Sequence, residues 1–206
     1  LVDFKFDKKD VPARIETIEY DPYRSGFIAL VLYKDGERRY ILVPQQVAVG
    51  DEIITSAEAK PKAGNRLPLG KIPVGTFIFN IELKPGAGAR IARSAGNYAE
   101  VVAQDAGYTL VKLPSSEVRK IISTAWASIG AVSNEEYRLV KIGKAGRARH
   151  LGIRPKTRGS AKNAVDHPHG GGEGRSPRGH RRARTKQGRP VGKGQKTRSP
   201  KKFSNK

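Results

Sequence analysis

A short segment near residue 170 gathers several side chains that could do chemistry. It reads Asp166-His167-Pro168-His169, then three glycines, Glu173, Gly174 and Arg175. An unperturbed imidazole titrates at about pH 6.5, so His167 or His169 could act as a general base in acyl transfer. The same two histidines, with a more distant third, could hold zinc. The glycine run could also be interpreted as a phosphate-binding loop.

None of these three interpretations finds all the residues that it needs. Asp166 and Glu173 are the only carboxylates in residues 141–206, and no Ser/His/Asp set is visible. A zinc site made of histidine without cysteine normally needs a carboxylate and a rigid frame, whereas the chain has no cysteine and places flexible glycine here. The glycine run lacks P-loop spacing and is not followed by Lys-Ser or Lys-Thr. We therefore predict neither an enzyme nor a protein-bound cofactor.

The charge of the chain is concentrated at one end. Residues 1–140 contain 19 basic and 17 acidic residues, whereas residues 141–206 contain 21 basic and 2 acidic residues. All four histidines (His150, His167, His169 and His180) also lie in this basic region. Such an excess predicts a polyanionic partner, and nucleic acid is the usual one. A tail that only improves solubility is the alternative, but arginine and glycine are typical of close contact with phosphates.

The weakly charged part of the chain has the pattern of β structure. Apolar and polar residues alternate over 1–6 and 13–20, and Asp35-Gly36 separates the strand-like segments 27–33 and 38–43. Residues 47–55 predict a turn and a fifth strand. Five short strands in about 55 residues favour a small closed barrel.

A second group of strands follows an expected linker over residues 57–70. Segments 77–83, 98–104, 108–112, 118–123, 126–132 and 137–142 are separated by Gly, Pro, Ser or Asn, which predicts a second barrel. We therefore predict a mainly β chain with two tandem barrels, over 1–60 and 61–142, and a basic extension over 143–206. Residues 144–151 could form two helical turns, and the rest of the extension should be ordered only against a polyanion.

RNA is a better match than DNA for this combination. Small β-barrels are typical readers of single-stranded or folded RNA, and the sequence shows no helix suited to the major groove of DNA. A protein that packages DNA without sequence preference remains the competing class. No apolar run approaches the roughly 20 residues of a membrane-spanning helix, so we expect no membrane partner. Because the chain contains no methionine, we expect Leu1 not to be the initiating residue.

Two arginines of the weakly charged part are candidate RNA contacts in their own right. Arg24 lies in the tight turn Asp21-Pro22-Tyr23-Arg24-Ser25, which would present its guanidinium group rigidly. Arg93 lies among small residues, between Ala92 and Ser94, where a phosphate backbone could approach closely.

Several segments together resemble the L2 family of large-subunit ribosomal proteins, in its bacterial or organellar form. They are IEYDPYRSGFIALVLYKDGERRYILVP at 18–44, ARSAGNYAEVVAQD at 92–105, GKAGRARHLGIRPKTRG at 143–159 and HPHGGGEGR at 167–175. The resemblance covers effectively the whole chain. The chain departs from it after residue 160, where the family's Ala-Met-Asn-Pro appears as Ala161-Lys162-Asn163-Ala164 and its later Pro-Trp-Gly is missing.

The resemblance implies an OB-fold followed by an SH3-like barrel, with an extension threaded into large-subunit ribosomal RNA. It implies a structural role near the peptidyl-transferase region and in subunit association, within cytoplasmic or organellar ribosomes. The implied partners are this RNA, other ribosomal proteins and the small subunit, and magnesium is expected only as a companion of RNA phosphates. The RNA-binding candidates are Arg24, Arg93, Lys144, Arg147, Arg149, Arg154, Arg158, His167, His169, Gly170, Gly171, Gly172, Arg175, Arg178, Arg181 and Arg182.

Overall fold

The computed structural model describes residues 1–172, 179–180 and 182–191. The chain divides into two compact units, residues 1–141 and residues 142–206. The first unit is mainly β with little helix, as the sequence predicts.

The first sheet has four strands in the order β3-β2-β1-β4. These are β1 (Ala13–Glu19), β2 (Ile28–Tyr33), β3 (Arg38–Leu42) and β4 (Glu52–Ile53). The predicted hairpin is confirmed: β2 and β3 pair antiparallel, with Ile28 opposite Leu42 and Leu32 opposite Arg38. Gly36 has a φ of 87° in the connecting turn, which a residue with a Cβ rarely adopts.

The second sheet has six strands in the order β11-β10-β9-β6-β12-β5, and β7 pairs with β8 beside it. Its strands are β5 (Arg66–Pro68), β6 (Phe77–Phe79), β9 (Ala99–Asp105), β10 (Tyr108–Lys112), β11 (Val118–Ile122) and β12 (Trp126–Ile129). The separate pair is β7 (Ile81–Glu82) and β8 (Ala89–Ile91). All the pairings between strands in this part are antiparallel.

Each of the two larger sheets has its own hydrophobic cluster, and each cluster also includes residues from outside its sheet. Ile15, Val31 and Ile41 are central to the first cluster, which also includes Ala89 of β8. The second cluster is built around the second sheet and includes Leu42 of β3. Phe4 packs against both clusters. The two sheets therefore do not have independent interiors.

Two predictions about the start and middle of this unit are wrong. Residues 1–6 do not form a strand, apart from a single bridge between Val2 and Tyr40. The Asp3 carboxylate instead accepts the backbone N–H groups of Lys5 and Phe6, a local turn that competes with strand pairing. Residues 57–70 are not a linker throughout, because β5 begins at Arg66 and a 3-10 turn follows at Leu69–Lys71.

The predicted strands over 77–83 and 137–142 also differ from the structure. The first is split into β6 and β7 by Asn80, whose φ is 49°. The second is wrong: a 3-10 helix occupies Glu135–Leu139, preceded by Asn134 in the left-handed conformation. Leu139 and Val140 of this segment are exposed, so the segment does not provide the buried face of a strand.

In the parts that the structure describes, the second unit has one short α-helix, α1 (Ala145–His150), which confirms the predicted helical turns. A 3-10 turn follows at Gly159–Ala161. A bridge between Arg184 and Pro190 closes a small turn that Gly188 helps to form. The dependence of this unit on a polyanion for its order stays a prediction.

Candidate nucleic-acid interface

Arg24 is held in place by the carboxylate of Asp21. Its Nε donates to Oδ2 of Asp21, and the other oxygen of that carboxylate accepts the backbone N–H of Tyr23 at 2.8 Å. These contacts follow from the tight turn, because an aspartate at its first position can bond the backbone two residues later. The hydrogen bond from Tyr23, with Arg24 nearby, lowers the pKa of the Asp21 carboxyl below its ordinary value. Asp21 therefore stays charged and keeps Arg24 oriented at neutral pH.

Arg93 approaches the same place from a different part of the chain. It follows β8 and is exposed, and its Nη1 lies 3.4 Å from the carbonyl oxygen of Ala89. Among the ion pairs found in the described parts of the chain, none involves Arg93. Its charge is thus available to an external anion.

Phe4 brings the two arginines together. The Cζ atom of Arg93 lies 4.7 Å from the centre of the Phe4 ring, and that of Arg24 lies 5.4 Å from it. The two guanidinium carbons are therefore no farther apart than the sum of these distances. Both distances are within the range of cation–π attraction, which offsets part of the repulsion between two like charges. We call Arg24, Arg93 and Phe4 the arginine pair and its ring.

The position of Phe4 is itself fixed by the backbone. Its carbonyl oxygen accepts the N–H of Ala89 at 2.7 Å, and a Cβ at Gly88 would lie only 2.8 Å from that oxygen. Gly88 has a φ of 78°, so glycine is needed there on both counts. The alternation of residues 1–6 predicts a strand, so it does not identify Phe4 as part of the site. The Gly86-Ala87-Gly88 segment was the available signal that another backbone passes closely.

The candidate residues between 144 and 158 form an exposed basic segment. Lys144 precedes α1, Arg147 and Arg149 lie on it, and all three are exposed. Arg154 and Arg158 follow in an exposed stretch outside helices and strands. This segment presents its cations to solvent, the arrangement expected of a surface that neutralises phosphates.

The His167-His169 segment forms a compact loop. The rings of His167 and His169 are 4.9 Å apart, and that of His180 is 6.1 Å from His169. Nδ1 of His167 accepts the backbone N–H of His169 at 3.0 Å, and Nε2 of His169 accepts that of Arg184 at 2.9 Å. A neutral imidazole that accepts at one nitrogen carries its proton on the other. Neutral His167 is therefore a donor at Nε2.

The glycines of this loop lie against the chain itself. A Cβ at Gly170 would overlap the carbonyl oxygens of Lys162 and Asn163, and the N–H of Gly171 donates to the Lys162 carbonyl at 3.1 Å. A Cβ at Gly159 would overlap the His167 ring. Gly172, with a φ of 87°, is the exposed end of the run. The tight packing that requires glycine thus involves this chain's own backbone and imidazole.

The remaining candidates are placed as follows. Arg182 is exposed, and Arg175, Arg178 and Arg181 lie outside the described residues. Within the ranges that the structure describes, no group of three His, Cys, Asp or Glu side chains is arranged to hold a metal ion. Over those same ranges, no helix is long and apolar enough to cross a bilayer.

A mainly β unit that presents paired guanidinium groups, joined to a unit rich in exposed cations, defines a nucleic-acid-binding protein. Family models extend this class: residues 1–55 match the RNA-binding N-terminal domain of Ribosomal Proteins L2, and residues 62–188 match the C-terminal domain. The chain is also similar to the large ribosomal subunit protein uL2 of Granulibacter bethesdensis, with 56% identity over 200 residues, 97% of this chain and 72% of that protein. The chain belongs to the ribosomal protein L2 family, of the bacterial type.

This membership gives the chain its general role. It is a structural, RNA-binding component of the large ribosomal subunit, located in the ribosome in the cytoplasm, and not an enzyme. The resemblance to the L2 family is thereby confirmed. Large-subunit ribosomal RNA and other ribosomal components are its partners.

Proposed function

We propose that this protein binds 23S-type ribosomal RNA through the arginine pair and through its basic second unit. In doing so it supports the peptidyl-transferase region and the association of the two subunits. DNA and membranes are not partners in this proposal. The observation that carries it is the convergence of Arg24 and Arg93 on the ring of Phe4.

The arginine pair is suited to the RNA backbone because it is organised before binding. Phe4 supports both guanidinium groups, and Asp21 fixes Arg24, so little side-chain freedom remains to be lost when a phosphate arrives. Guanidinium groups donate in a planar fork that matches phosphate oxygens. Two of them held over one ring suit one phosphate or two successive ones.

We propose that three parts of the chain contribute separately to RNA binding. In this proposal, residues 1–60 form an OB-fold-like barrel, 61–142 an SH3-like barrel, and 143–206 an extension that threads into the RNA. The two larger antiparallel sheets support this division, as do family matches that end at residue 55 and resume at residue 62.

In the extension, charge neutralisation is combined with a loop of defined shape. Lys144, Arg147 and Arg149 supply exposed cations beside α1. The His167 loop is packed by its own glycines, and Nε2 of neutral His167 can donate to a phosphate or ribose oxygen. This role requires no proton abstraction by the histidines. The remaining arginines of the extension are proposed to contact phosphates.

Salt-dependent binding tests this proposal. The affinity of the full chain for transcribed large-subunit ribosomal RNA should fall steeply with salt. Arg24→Ala or Arg93→Ala should each reduce the slope of log affinity against log salt by roughly 0.7–0.9 for every phosphate that the variant no longer neutralises. Arg38→Ala is the matched control, because Arg38 is exposed but already paired with Glu16. Its slope should equal that of the wild type.

Two further variants separate the parts of the proposal. Deleting residues 143–206 should leave weaker binding with a much smaller salt slope, because half of the Lys and Arg residues and most of the net positive charge are removed. Phe4→Leu should weaken binding without reducing the slope as much as either arginine variant, since both charges remain. Equal affinity for duplex DNA and ribosomal RNA at physiological salt would instead favour a DNA-packaging protein. An unchanged slope after truncation would refute the role of the extension.

A further inference from the structure

An open cavity of about 430 Å³ lies in the first unit, and Phe4, Arg24 and Arg93 are not among the residues that line it. Its walls come from the loop after β3, the segment before β5, and the residues around β6 and β12. The volume falls within the range of about 300–1,000 Å³ that is typical of small-molecule sites. None of the residues that line it is Lys or Arg. Glu135 is the one charged residue among those that line it.

An exposed aromatic pair forms one wall of this cavity. Phe77 of β6 and Tyr98, just before β9, have ring centres 4.4 Å apart and ring planes inclined at 45°. Their exposed fractions are 47% and 45%, although each partly covers the other. Large aromatic side chains that remain half exposed on a folded surface are typical of places where a flat ligand stacks.

The other walls supply shape and polar groups. Pro44 and Pro61 contribute flat apolar surface, and the Gln46 amide and the amide oxygen of Gln45 contribute polar groups, while Nε2 of Gln45 donates to Oε2 of Glu135 at 2.9 Å. Gly130 has a φ of 116°, and a Cβ on it would lie 3.2 Å from Cβ of Pro44, so glycine keeps this side of the cavity unstrained. Amide groups beside a flat apolar slot can bond the edge of a nucleobase while its faces stack.

The cavity is tied directly to the segments that carry the arginine pair. Oγ of Ser25, the neighbour of Arg24, accepts the N–H of Ala95 at 3.0 Å, and its carbonyl oxygen accepts Nδ2 of Asn134 at 2.7 Å. The residues that follow Ala95 and Asn134 in the chain, Gly96 and Glu135, both line the cavity. An RNA strand on the arginine pair would therefore pass close to the cavity.

We propose that this cavity binds one unpaired nucleobase of the RNA whose backbone the arginine pair holds. The base stacks on the Phe77–Tyr98 pair, and its edge bonds the glutamine amides. This inference rests on the RNA binding proposed above and adds a second kind of contact to it. The absence of Lys and Arg from the lining favours a base over a phosphate, and the proximity to the arginine pair favours RNA over a protein side chain.

The test compares affinity with salt dependence in the full chain, using transcribed large-subunit ribosomal RNA as the probe. Tyr98→Ala and Phe77→Ala should each weaken binding about tenfold, the effect of removing one base–aromatic stack, with an unchanged salt slope. Tyr98→Phe should retain wild-type affinity because it keeps the stacking ring. Tyr108→Ala is the matched control, since Tyr108 is 41% exposed on β10 and does not line the cavity.

Ultraviolet crosslinking of the wild-type complex gives a second readout that needs no variant. A nucleotide adduct should form on the peptide containing Phe77 or Tyr98. Wild-type affinity of Tyr98→Ala together with no adduct there would overturn the nucleobase site, even if the arginine variants behave as proposed. A crosslink from Tyr98 to a neighbouring protein in assembled subunits would also overturn it. Failure of the wild-type chain to bind the RNA would instead refute the proposed function.

Discussion

Replacing Glu82 with glutamine should destabilise the first unit far more than a typical surface substitution. Arg66 Nη2 donates to Oε1 of Glu82 at 2.9 Å, and the two side chains are only 2% and 3% exposed. Arg66 also donates to the carbonyl oxygen of Asn80 at 2.7 Å and lies 4.3 Å from the centre of the Phe6 ring. Burial lowers the pKa of Arg66 to about 10, so the guanidinium group stays charged at pH 7.

The size of the effect follows from that buried charge. Removing one partner of a buried ion pair destabilises a protein by about 3–5 kcal/mol, because the other charge is left without compensation. We expect Glu82→Gln to reach about 3 kcal/mol, the lower end of that range. The new amide oxygen can still accept from Arg66, and the contacts to Asn80 and Phe6 remain. Replacing both charges at once with Arg66→Met and Glu82→Leu should be less destabilising than the two single changes summed.

Urea unfolding of the full chain at pH 7, followed by circular dichroism, measures these differences. Glu16→Gln is the control, because Glu16 pairs with Arg38 on the surface, where solvent weakens the interaction. It should leave the midpoint nearly unchanged. A loss below about 1 kcal/mol for Glu82→Gln would refute the reasoning, since that is the value of an exposed pair. The reasoning would also be refuted if the double variant lost more stability than the two single variants lose together.

Two further predictions concern acid stability and the glycine loop. Hydrogen bonds from Arg39 lower the pKa of the Asp7 and Glu37 carboxyls in the folded protein. The two carboxylates therefore contribute their full stabilisation above their unfolded-state pKa values of 3.8 and 4.5. That stabilisation is lost as the pH falls through their lower folded-state pKa values. The urea midpoint should therefore drop in this acidic range, and Arg39→Met should flatten the drop; an equally steep drop in the variant would contradict this assignment. Gly170→Ala should weaken RNA binding in a filter assay, because the added Cβ would overlap neighbouring carbonyl oxygens. Gly146→Ala is the control and should not weaken binding, because Gly146 lies in open space on α1. Equal affinities of the two variants would show that the loop shape is unimportant for RNA binding.

The local sequence pattern predicted those strands that pair with the next strand along the chain. The hairpin of β2 and β3 followed from two strand-like segments on either side of Asp35-Gly36, because the turn and both strands lie within 15 residues. The helical turns of α1 were likewise predictable. By contrast, residues 137–142 follow the turn residues Ser133 and Asn134 but have no strand beside them, and a turn signal alone does not supply a partner.

The least accurate prediction is the linker at 57–70, because the burial of Arg66 depends on an ion pair with a residue that is distant in sequence. A charged residue among Pro, Gly and Lys looks solvent-exposed in the sequence, yet Arg66 is buried because Glu82, 16 residues later, neutralises it. The same limit applies to the site. Arg24 and Arg93 were predictable as separate candidates, but their meeting on Phe4 depends on the path of residues 1–6, which local pattern misjudged.

Each hydrophobic cluster contains a side chain from outside its own sheet, and this determines when each sheet can complete its folding during synthesis. Ala89 completes the interior of the first sheet, while Leu42 belongs to the interior of the second. A nascent chain that has only just released β4 therefore lacks a side chain that its first sheet needs, and must wait about 2–7 s at ordinary elongation rates for residue 89. Early strands remain open to misassociation during that interval, and the finished pair of sheets should melt in one cooperative step.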